Sequence, residues 1–299
     1  MIKNRIFPPL VLKFVMAALA VIVPLSATAQ SSITWTTAIK YAKLVKVAEG
    51  VQPTSDYADT DKTAITALGY TYLTTIYGND FTAIFDPDMA DTVSYGFIAV
   101  SPSGELVTVI RGTDTVLEWI DDAQFYYVVN PVGNSYGFTE EGFSSIYKSL
   151  RTGKADSSPS VRSAIASYLA AGTGSSVAVT GHSLGGALAE LVSLDITLNT
   201  SKKPTVYTFA SPKVGEYLWE YDYNHHISTS YRIYNSTDIV PDIPLWPFEQ
   251  VKTGFKLSPD TSVVSTTVAC SHHLTTYIYL MGQAAGANAG SLDSDCVVD

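Results

Sequence analysis

The sequence predicts an α/β fold in which a mostly parallel sheet is covered by helices on both faces. The clearest evidence lies in residues 175–196, where Val177–Val179 form an unbroken apolar run typical of a strand buried on both faces. After Ser183 the apolar residues recur every three or four positions, which indicates a helix with one side on the core. Strand and helix patterns continue to alternate along the chain, and this alternation favours parallel pairing.

The other elements are predicted from the same two periodicities and from the turn residues between them. Helices are expected over 33–49, 142–151 and 160–171, and Pro159 introduces the last of these. Strands are expected over 71–84, 93–100, 106–110, 205–209 and 230–235.

Residues 1–29 have the features of an export signal. Basic residues lie in the first 13 positions, an apolar segment follows over 14–23, and Ala27-Thr28-Ala29 is a small-residue cleavage site. The apolar segment is too short to anchor the chain across a bilayer. We therefore expect a mature protein that begins at Gln30 and is secreted or periplasmic.

Residues 30–299 are expected to form one domain, because they contain no internal repeat and no low-complexity linker. From about residue 283 the chain is rich in Gly, Ala and Ser and is expected to be a flexible tail. A disulfide between Cys270 and Cys296 would suit an oxidising compartment, the alternative being two free thiols. Acidic residues outnumber basic ones by 28 to 18, which argues against nucleic acid and anionic membranes as partners.

The turn between the central strand and its helix is Gly181-His182-Ser183-Leu184-Gly185, a match to the G-x-S-x-G pattern. A serine in so tight a turn presents its hydroxyl outward, and the glycines remove Cβ atoms that would collide. The helix starts at the serine, so free backbone amides, that of Leu184 among them, point toward a reacting oxygen. Ser183 is therefore predicted to be a nucleophile. The alternative is a glycine-rich turn with a bystander serine.

A serine nucleophile needs a histidine base and a carboxylate that orients it. On this kind of sheet the expected order along the chain is serine, acid, histidine. Asp238 directly follows the strand 230–235 and is the predicted acid, and Asp242 is the alternative. Either could instead be a solvated turn residue.

The histidines left after the acid are His272 and His273, and both stay candidates for the base. His225 and His226 come before the acid and are expected to be a surface pair. His182 adjoins the serine in the turn and is expected to point elsewhere.

Several ordered segments resemble the class 3 lipase family of α/β-hydrolases. They are 110–114 with 118–122, then 181–189, 208–215 and 238–241, within a resemblance that spans about 70–280. The resemblance implies the α/β-hydrolase fold, Ser183 as nucleophile and Asp238 as acid. It also implies Thr113 and Leu184 as oxyanion donors, and the family pattern His-x-Leu-x-x-Tyr favours His272 over His273.

Two further segments bear on this resemblance. Family members usually carry a histidine before the Gly142-Phe143 pair, where this chain has Glu140-Glu141, so the local packing is expected to differ. Residues 115–124 lie where related lipases have a helical lid, and the alternative is a helix packed permanently on the core.

The resemblance implies a secreted serine hydrolase that cleaves carboxylic esters. A triacylglycerol lipase that binds its ester or lipid substrate at a lipid–water interface is the leading interpretation. The alternatives are a short-chain, feruloyl-type or phospholipid esterase of the same fold, and an inactive binding module. No cofactor or metal is expected, because no cluster of His, Asp and Glu has the spacing of metal ligands.

Overall fold

A seven-stranded sheet runs through the molecule, and a smaller four-stranded sheet lies beside it. The computed structural model describes residues 32–80, 91–113, 126–252 and 254–298. In this part of the chain the strands are β1 (Thr71–Asn79), β2 (Thr92–Val100), β3 (Glu105–Ile110), β4 (Tyr127–Val129), β5 (Phe138–Glu140), β6 (Ser176–His182), β7 (Thr205–Phe209), β8 (Gly215–Glu216), β9 (Ser230–Asn235), β10 (Phe248–Glu249) and β11 (Gly254–Leu257). The α-helices are α1 (Trp35–Glu49), α2 (Asp59–Ala67), α3 (Glu141–Ser149), α4 (Val161–Ala170), α5 (Leu184–Asn199), α6 (Tyr217–His226), α7 (Val268–His272) and α8 (Leu274–Ala285).

The order of strands in the large sheet is β1-β2-β3-β6-β7-β9-β11. The β1–β2 and β2–β3 pairs are antiparallel, and every later pair in this order is parallel. The carboxyl ends of the parallel strands therefore meet at one edge, where Gly181 of β6 lies beside Thr208 of β7. The predicted fold class is confirmed.

The two faces of this sheet carry separate cores, because successive side chains of a strand point to opposite sides. On β6, Val177 and Val179 pack into one core with residues of α5, whereas Ala178 packs into the other with residues of α1 and α8. Burial on both faces explains why the run Val177–Val179 is apolar throughout.

Most of the predicted elements are confirmed to within one or two residues. The strands 205–209 and 230–235 match their predicted bounds, and the helix predicted over 33–49 begins at Trp35. The first strand ends at Asn79, and the rest of its predicted range runs into residues outside the described part. The predicted signal 1–29 and the predicted lid 115–124 also lie outside the described residues, so both stay predictions.

The four-stranded sheet was missing from the sequence prediction. Its order is β10-β8-β5-β4, and its strands are only two or three residues long. Strands this short are too brief to show an alternating pattern of apolar and polar residues.

The disulfide between Cys270 and Cys296 is present, as expected, and joins α7 to the C-terminal segment. The backbone amide of Ser265 also donates to the Cys296 carbonyl over 2.9 Å, and Val264 pairs with Val297. The helix before this segment ends at Ala285, and Gly286 follows in the left-handed conformation. Among the described helices, none is both long and apolar enough to cross a membrane.

Candidate active site

Ser183 occupies a strained turn between β6 and α5. Its backbone adopts φ 55° and ψ −129°, a conformation that side-chain-bearing residues rarely occupy. A Cβ on Gly181 would lie 2.0 Å from the Gly185 carbonyl oxygen, and one on Gly185 would lie 2.4 Å from the Arg111 carbonyl oxygen. Both glycines are therefore required by close backbone approach, which is the arrangement that the motif predicts.

The predicted oxyanion donors come from the two segments that meet at this turn. Leu184 is the first residue of α5, so its amide has no acceptor within the helix. The end of β3 passes close to the serine, since a Cβ on Gly112 would lie 3.2 Å from Ser183 Cβ. Thr113 follows directly in this segment, and the buried Arg111 side chain anchors it by donating to the Ser94 carbonyl over 2.9 Å.

His272 and Asp238 form a buried hydrogen-bonded pair. The ring donates from Nδ1 to Asp238 Oδ2 over 2.9 Å, and the Asp238 side chain has no exposed surface. The same oxygen accepts the Tyr277 hydroxyl at 2.7 Å, while Oδ1 accepts the Val240 amide at 3.0 Å. Burial lowers the pKa of His272, although Asp238 acts in the opposite direction.

The other ring nitrogen of His272 is free to act on a proton. Within the described part of the chain, His272 Nε2 and Ser183 Oγ are both buried and neither has a hydrogen-bond partner. The His272 ring lies against that of His182, the residue before the serine, with ring centroids 4.8 Å apart. Hydrogen bonds between catalytic groups are often long without substrate, so the absence of a Ser183–His272 bond does not argue against the pair.

The structure separates the two histidines and the two acids that the sequence left open. His273 Nδ1 hydrogen-bonds Thr275 at 2.7 Å and lies 3.0 Å from Asp293, and half of the His273 side chain is exposed. Asp242 is exposed and lies on a short 3-10 turn, whereas Asp238 contacts a histidine.

His225 and His226 lie in the last turn of α6, where His225 is exposed and His226 Nε2 is 3.4 Å from Asp222. The expectation of a surface pair therefore holds for His225, while His226 is half-buried.

Glu140, which stands where the resemblance expected a histidine nearby, caps the N-terminus of α3. Its carboxylate accepts the Phe143 amide at 2.7 Å. Burial raises the pKa of this carboxyl to about 7, although the bonds from the helix amides oppose the rise.

Two residues of the site were missed by the sequence reasoning. Glu49 Oε1 lies 2.8 Å from His182 Nδ1, so the His182 ring does not point away from the site as expected. Tyr277 belongs to a recognised sequence pattern, but the pattern did not show that its hydroxyl binds Asp238. A signal for Glu49 exists: it is an acidic residue at the end of a helix, where the helix dipole disfavours negative charge.

Comparison with known proteins shows similarity to lipases and phospholipases. The family model "Lipase (class 3)" matches residues 107–248. A phospholipase A1-II 3 of Oryza sativa is 30% identical over 233 residues, covering 66% of this chain and 55% of the relative. The secreted mono- and diacylglycerol lipase A of Penicillium cyclopium is 29% identical over 185 residues, covering 60% of this chain and 57% of the relative.

Among solved structures, Lip2 lipase from Yarrowia lipolytica superposes with a TM-score of 0.59 at 22% identity. The superposition covers 79% of this chain and 82% of that one, and at this identity it supports the fold alone. The chain spans about half the length of the curated relatives it matches. The motif segments, the fold and the family match agree with one another, and all of them resemble the class 3 lipase family, whose model matches residues 107–248.

Proposed function

We propose that the protein hydrolyses carboxylic esters through an acyl-enzyme, with Ser183 as nucleophile, His272 as base and Asp238 as the carboxylate that orients the base. The observation that carries the proposal is the buried His272–Asp238 hydrogen bond beside the strained Ser183 turn. Because Nδ1 is committed to Asp238, the lone pair of the neutral ring lies on Nε2, the nitrogen a general base needs.

In the proposed reaction Ser183 Oγ attacks the ester carbonyl while His272 Nε2 takes the hydroxyl proton. The carbonyl oxygen becomes an oxyanion, which the backbone amides of Thr113 and Leu184 stabilise. Collapse of this intermediate breaks the ester bond, and His272 returns the proton to the departing alcohol. Water then attacks the acyl-enzyme while His272 Nε2 takes its proton. The second intermediate collapses, His272 returns the proton to Ser183 Oγ, and the acid is released.

For the substrate we propose an acyl ester of a glycerolipid, with triacylglycerol first. The relatives bear the names of acylglycerol lipases and of phospholipases A1, and both kinds cleave an acyl ester.

A surface of this chain supports an aggregated lipid substrate. Exposed apolar side chains lie on or next to the strands of the four-stranded sheet, on α6 and in the loop after Asp238, and we call them the aromatic surface: Tyr126, Tyr127, Val129, Tyr136, Phe138, Tyr217, Leu218, Tyr221, Ile239, Leu245 and Trp246.

An exposed apolar surface of this kind is uncommon on a soluble protein unless it binds something. The net charge of −10 disfavours anionic lipid, so a neutral lipid interface fits better.

We further propose that the protein is exported, with cleavage after Ala29. The proposal is supported by the leader pattern of residues 1–29 and by the Cys270–Cys296 disulfide, a bond typical of oxidising compartments. N-terminal sequencing of protein recovered outside the cytoplasm tests it. A chain that retains residues 1–29 there would contradict it.

The reaction is tested with nitrophenyl esters of increasing chain length, emulsified triacylglycerol and phosphatidylcholine. Matched pairs of variants assign the residues: Asp238→Asn against Asp242→Asn, and His272→Ala against His273→Ala. We expect the first member of each pair to lose at least a thousandfold in kcat and the second to stay within threefold. Ser183→Ala should abolish both hydrolysis and labelling by a fluorophosphonate. A native protein that neither hydrolyses any ester nor reacts with the probe would contradict the proposal and favour a binding module.

A further inference from the structure

We propose that Glu49 and His182 form a positioning pair that fixes three parts of the site relative to one another. These are the turn that carries Ser183 (the nucleophile turn), Gly112 with Thr113 (the oxyanion segment), and the base His272. The inference rests on the proposed function and extends it to two residues outside the triad. It assigns no contact with substrate to either residue.

The pair contacts each of the three segments. His182 Nδ1 and Glu49 Oε1 are 2.8 Å apart, and His182 itself is part of the turn that carries Ser183. The backbone amide of Gly112, next to Thr113, also donates to the Glu49 carboxylate. On its other side, His182 Nε2 donates to the backbone carbonyl of His272 over 2.9 Å.

The protons of the pair follow from these contacts. A carbonyl oxygen only accepts, so His182 Nε2 must carry a hydrogen. One further proton lies between Nδ1 and the carboxylate, which makes the pair neutral as a whole. Burial alone would raise the pKa of Glu49 and lower that of His182, but their mutual attraction outweighs it and shifts both the other way. The pair is therefore an ion pair in which both ring nitrogens donate.

Glu49 does not stabilise its own helix. It is the last residue of α1, where the dipole disfavours an acid, and its partner is 133 residues away in sequence. Its side chain is only 25% exposed, and that of His182 only 7%. The His182 ring also lies against the His272 ring, tilted by 34°. Removal of the pair would therefore loosen the base and the oxyanion segment together.

Glu105 provides a matched control for the general effect of loosening α1. Its carboxylate accepts the hydroxyls of Tyr41 of α1 and of Tyr70 at 2.9 and 2.6 Å. It begins β3, the strand whose other end leads to Gly112, so it tethers α1 at the opposite end of the same strand. Glu105→Ala should lower the melting temperature as Glu49→Ala does, with kcat within twofold of native.

The test compares native protein, Glu49→Ala, Glu49→Gln and Glu105→Ala on a soluble nitrophenyl ester. For Glu49→Ala we expect kcat to fall about a hundredfold with KM within threefold, since small displacements of catalytic groups cost about this much. Fluorophosphonate labelling of Ser183 should slow by a similar factor. Glu49→Gln should recover kcat to within tenfold of native, because its oxygen can accept from Gly112 and its amide can donate to His182. If the two residues act as one unit, adding His182→Ala to Glu49→Ala should cause little further loss.

If Glu49→Ala fails to fold, Glu49→Asp takes its place, since aspartate keeps the charge but is one methylene too short for both contacts. It should then lose at least tenfold more kcat than Glu49→Gln. The proposal is overturned if Glu49→Ala, or Glu49→Asp in its place, keeps kcat within twofold of Glu105→Ala, or if its loss lies in KM alone. A native protein without activity or labelling would instead refute the proposed function, which separates the two failures.

Discussion

Tyr277 donates its hydroxyl to Asp238 Oδ2 over 2.7 Å, the same oxygen that binds the base. The hydroxyl also accepts the backbone amide of Asn235 at 3.0 Å, so it links α8 to the end of β9. Donation to the carboxylate spreads its negative charge away from the imidazole. Tyr277 therefore limits how strongly Asp238 stabilises the protonated ring.

We expect Tyr277→Phe to move the acid limb of kcat/KM to higher pH, since the less solvated carboxylate holds the imidazolium more tightly. It should also lower the free energy of unfolding by roughly 1–3 kcal/mol, because the buried Asn235 amide loses its acceptor. The pH profile and a urea titration measure the two effects. Tyr279→Phe, two residues along α8, is the control, and an unchanged acid limb in Tyr277→Phe would contradict the account.

The native acid limb itself should lie below pH 6.5, the ordinary pKa of histidine. Burial lowers the pKa of His272, with Asp238 opposing it, and only the neutral ring can take the serine proton. A lowered pKa keeps that neutral form present at more acidic pH, so activity should persist there. A profile of kcat/KM on a soluble ester reports the free enzyme and measures this directly. Circular dichroism at each pH checks that the protein stays folded, and a midpoint above 6.5 would contradict the prediction.

The glycines of the nucleophile turn should not tolerate a methyl group. In Gly181→Ala the new Cβ would meet the Gly185 carbonyl oxygen at 2.0 Å, which only movement of the backbone can relieve. We expect the free energy of unfolding to fall by about 4 kcal/mol or more, with loss of activity. Gly133→Ala is the control, because a Cβ there meets nothing within 4 Å. Equal stability of the two variants would show that the turn can adjust.

Stability should fall as pH rises because of Glu190, a buried residue of α5. Its Oε1 accepts from Ser211 at 2.9 Å, but its Oε2 has no hydrogen-bond partner among the described residues. Burial raises the pKa of this carboxyl from 4.5 to about 8, so between these values the folded state binds more protons than the unfolded state. The free energy of unfolding therefore falls with increasing pH over this window, by roughly 5 kcal/mol in total.

Glu190→Gln cannot ionise, so its urea denaturation midpoints should change less between pH 5 and pH 9 than those of the native protein. Native and variant curves that run parallel across this range would contradict the assignment to Glu190.

The aromatic surface should control activity on aggregated substrate and leave activity on soluble substrate unchanged. Trp246 is 87% exposed and Leu245 is 72% exposed, so neither contributes much to the core. We expect Leu245→Ser with Trp246→Ser to weaken binding to phosphatidylcholine vesicles at least tenfold, because transfer of such side chains from water contributes about 1.5–3 kcal/mol each. Sedimentation with vesicles measures binding. The kcat/KM on a soluble ester is the control, and an equal loss on both substrates would argue against an interfacial role.

The fold could be predicted from sequence wherever an element is long enough to show its period. The strand of Val177–Val179 and the helix after Ser183 are examples, since both are buried against several neighbours and must be apolar in a regular pattern. The short strands β4, β5, β8 and β10 could not be predicted, because a run of two or three residues has no period to detect.

At the site, local spacing predicted the residues that lie on motif segments. It left both His272 and His273 as candidates, with the family pattern favouring His272, and their contacts with Asp238 and Asp293 differ in the structure. Glu49 stands out in the sequence only as an acidic residue at the end of a helix. Its partner could not be predicted, because the contact with His182, 133 positions away, arises from the tertiary packing of α1.

The backbone of Ser183 has one more consequence. At φ 55° a glycine would sit more comfortably than a serine, because the strain comes from the side-chain carbon. A protein shaped only by the need to stay folded would therefore drift toward glycine at this position and give up its hydroxyl. A serine that is retained at this strained position is the expected result of selection for catalysis acting against selection for stability.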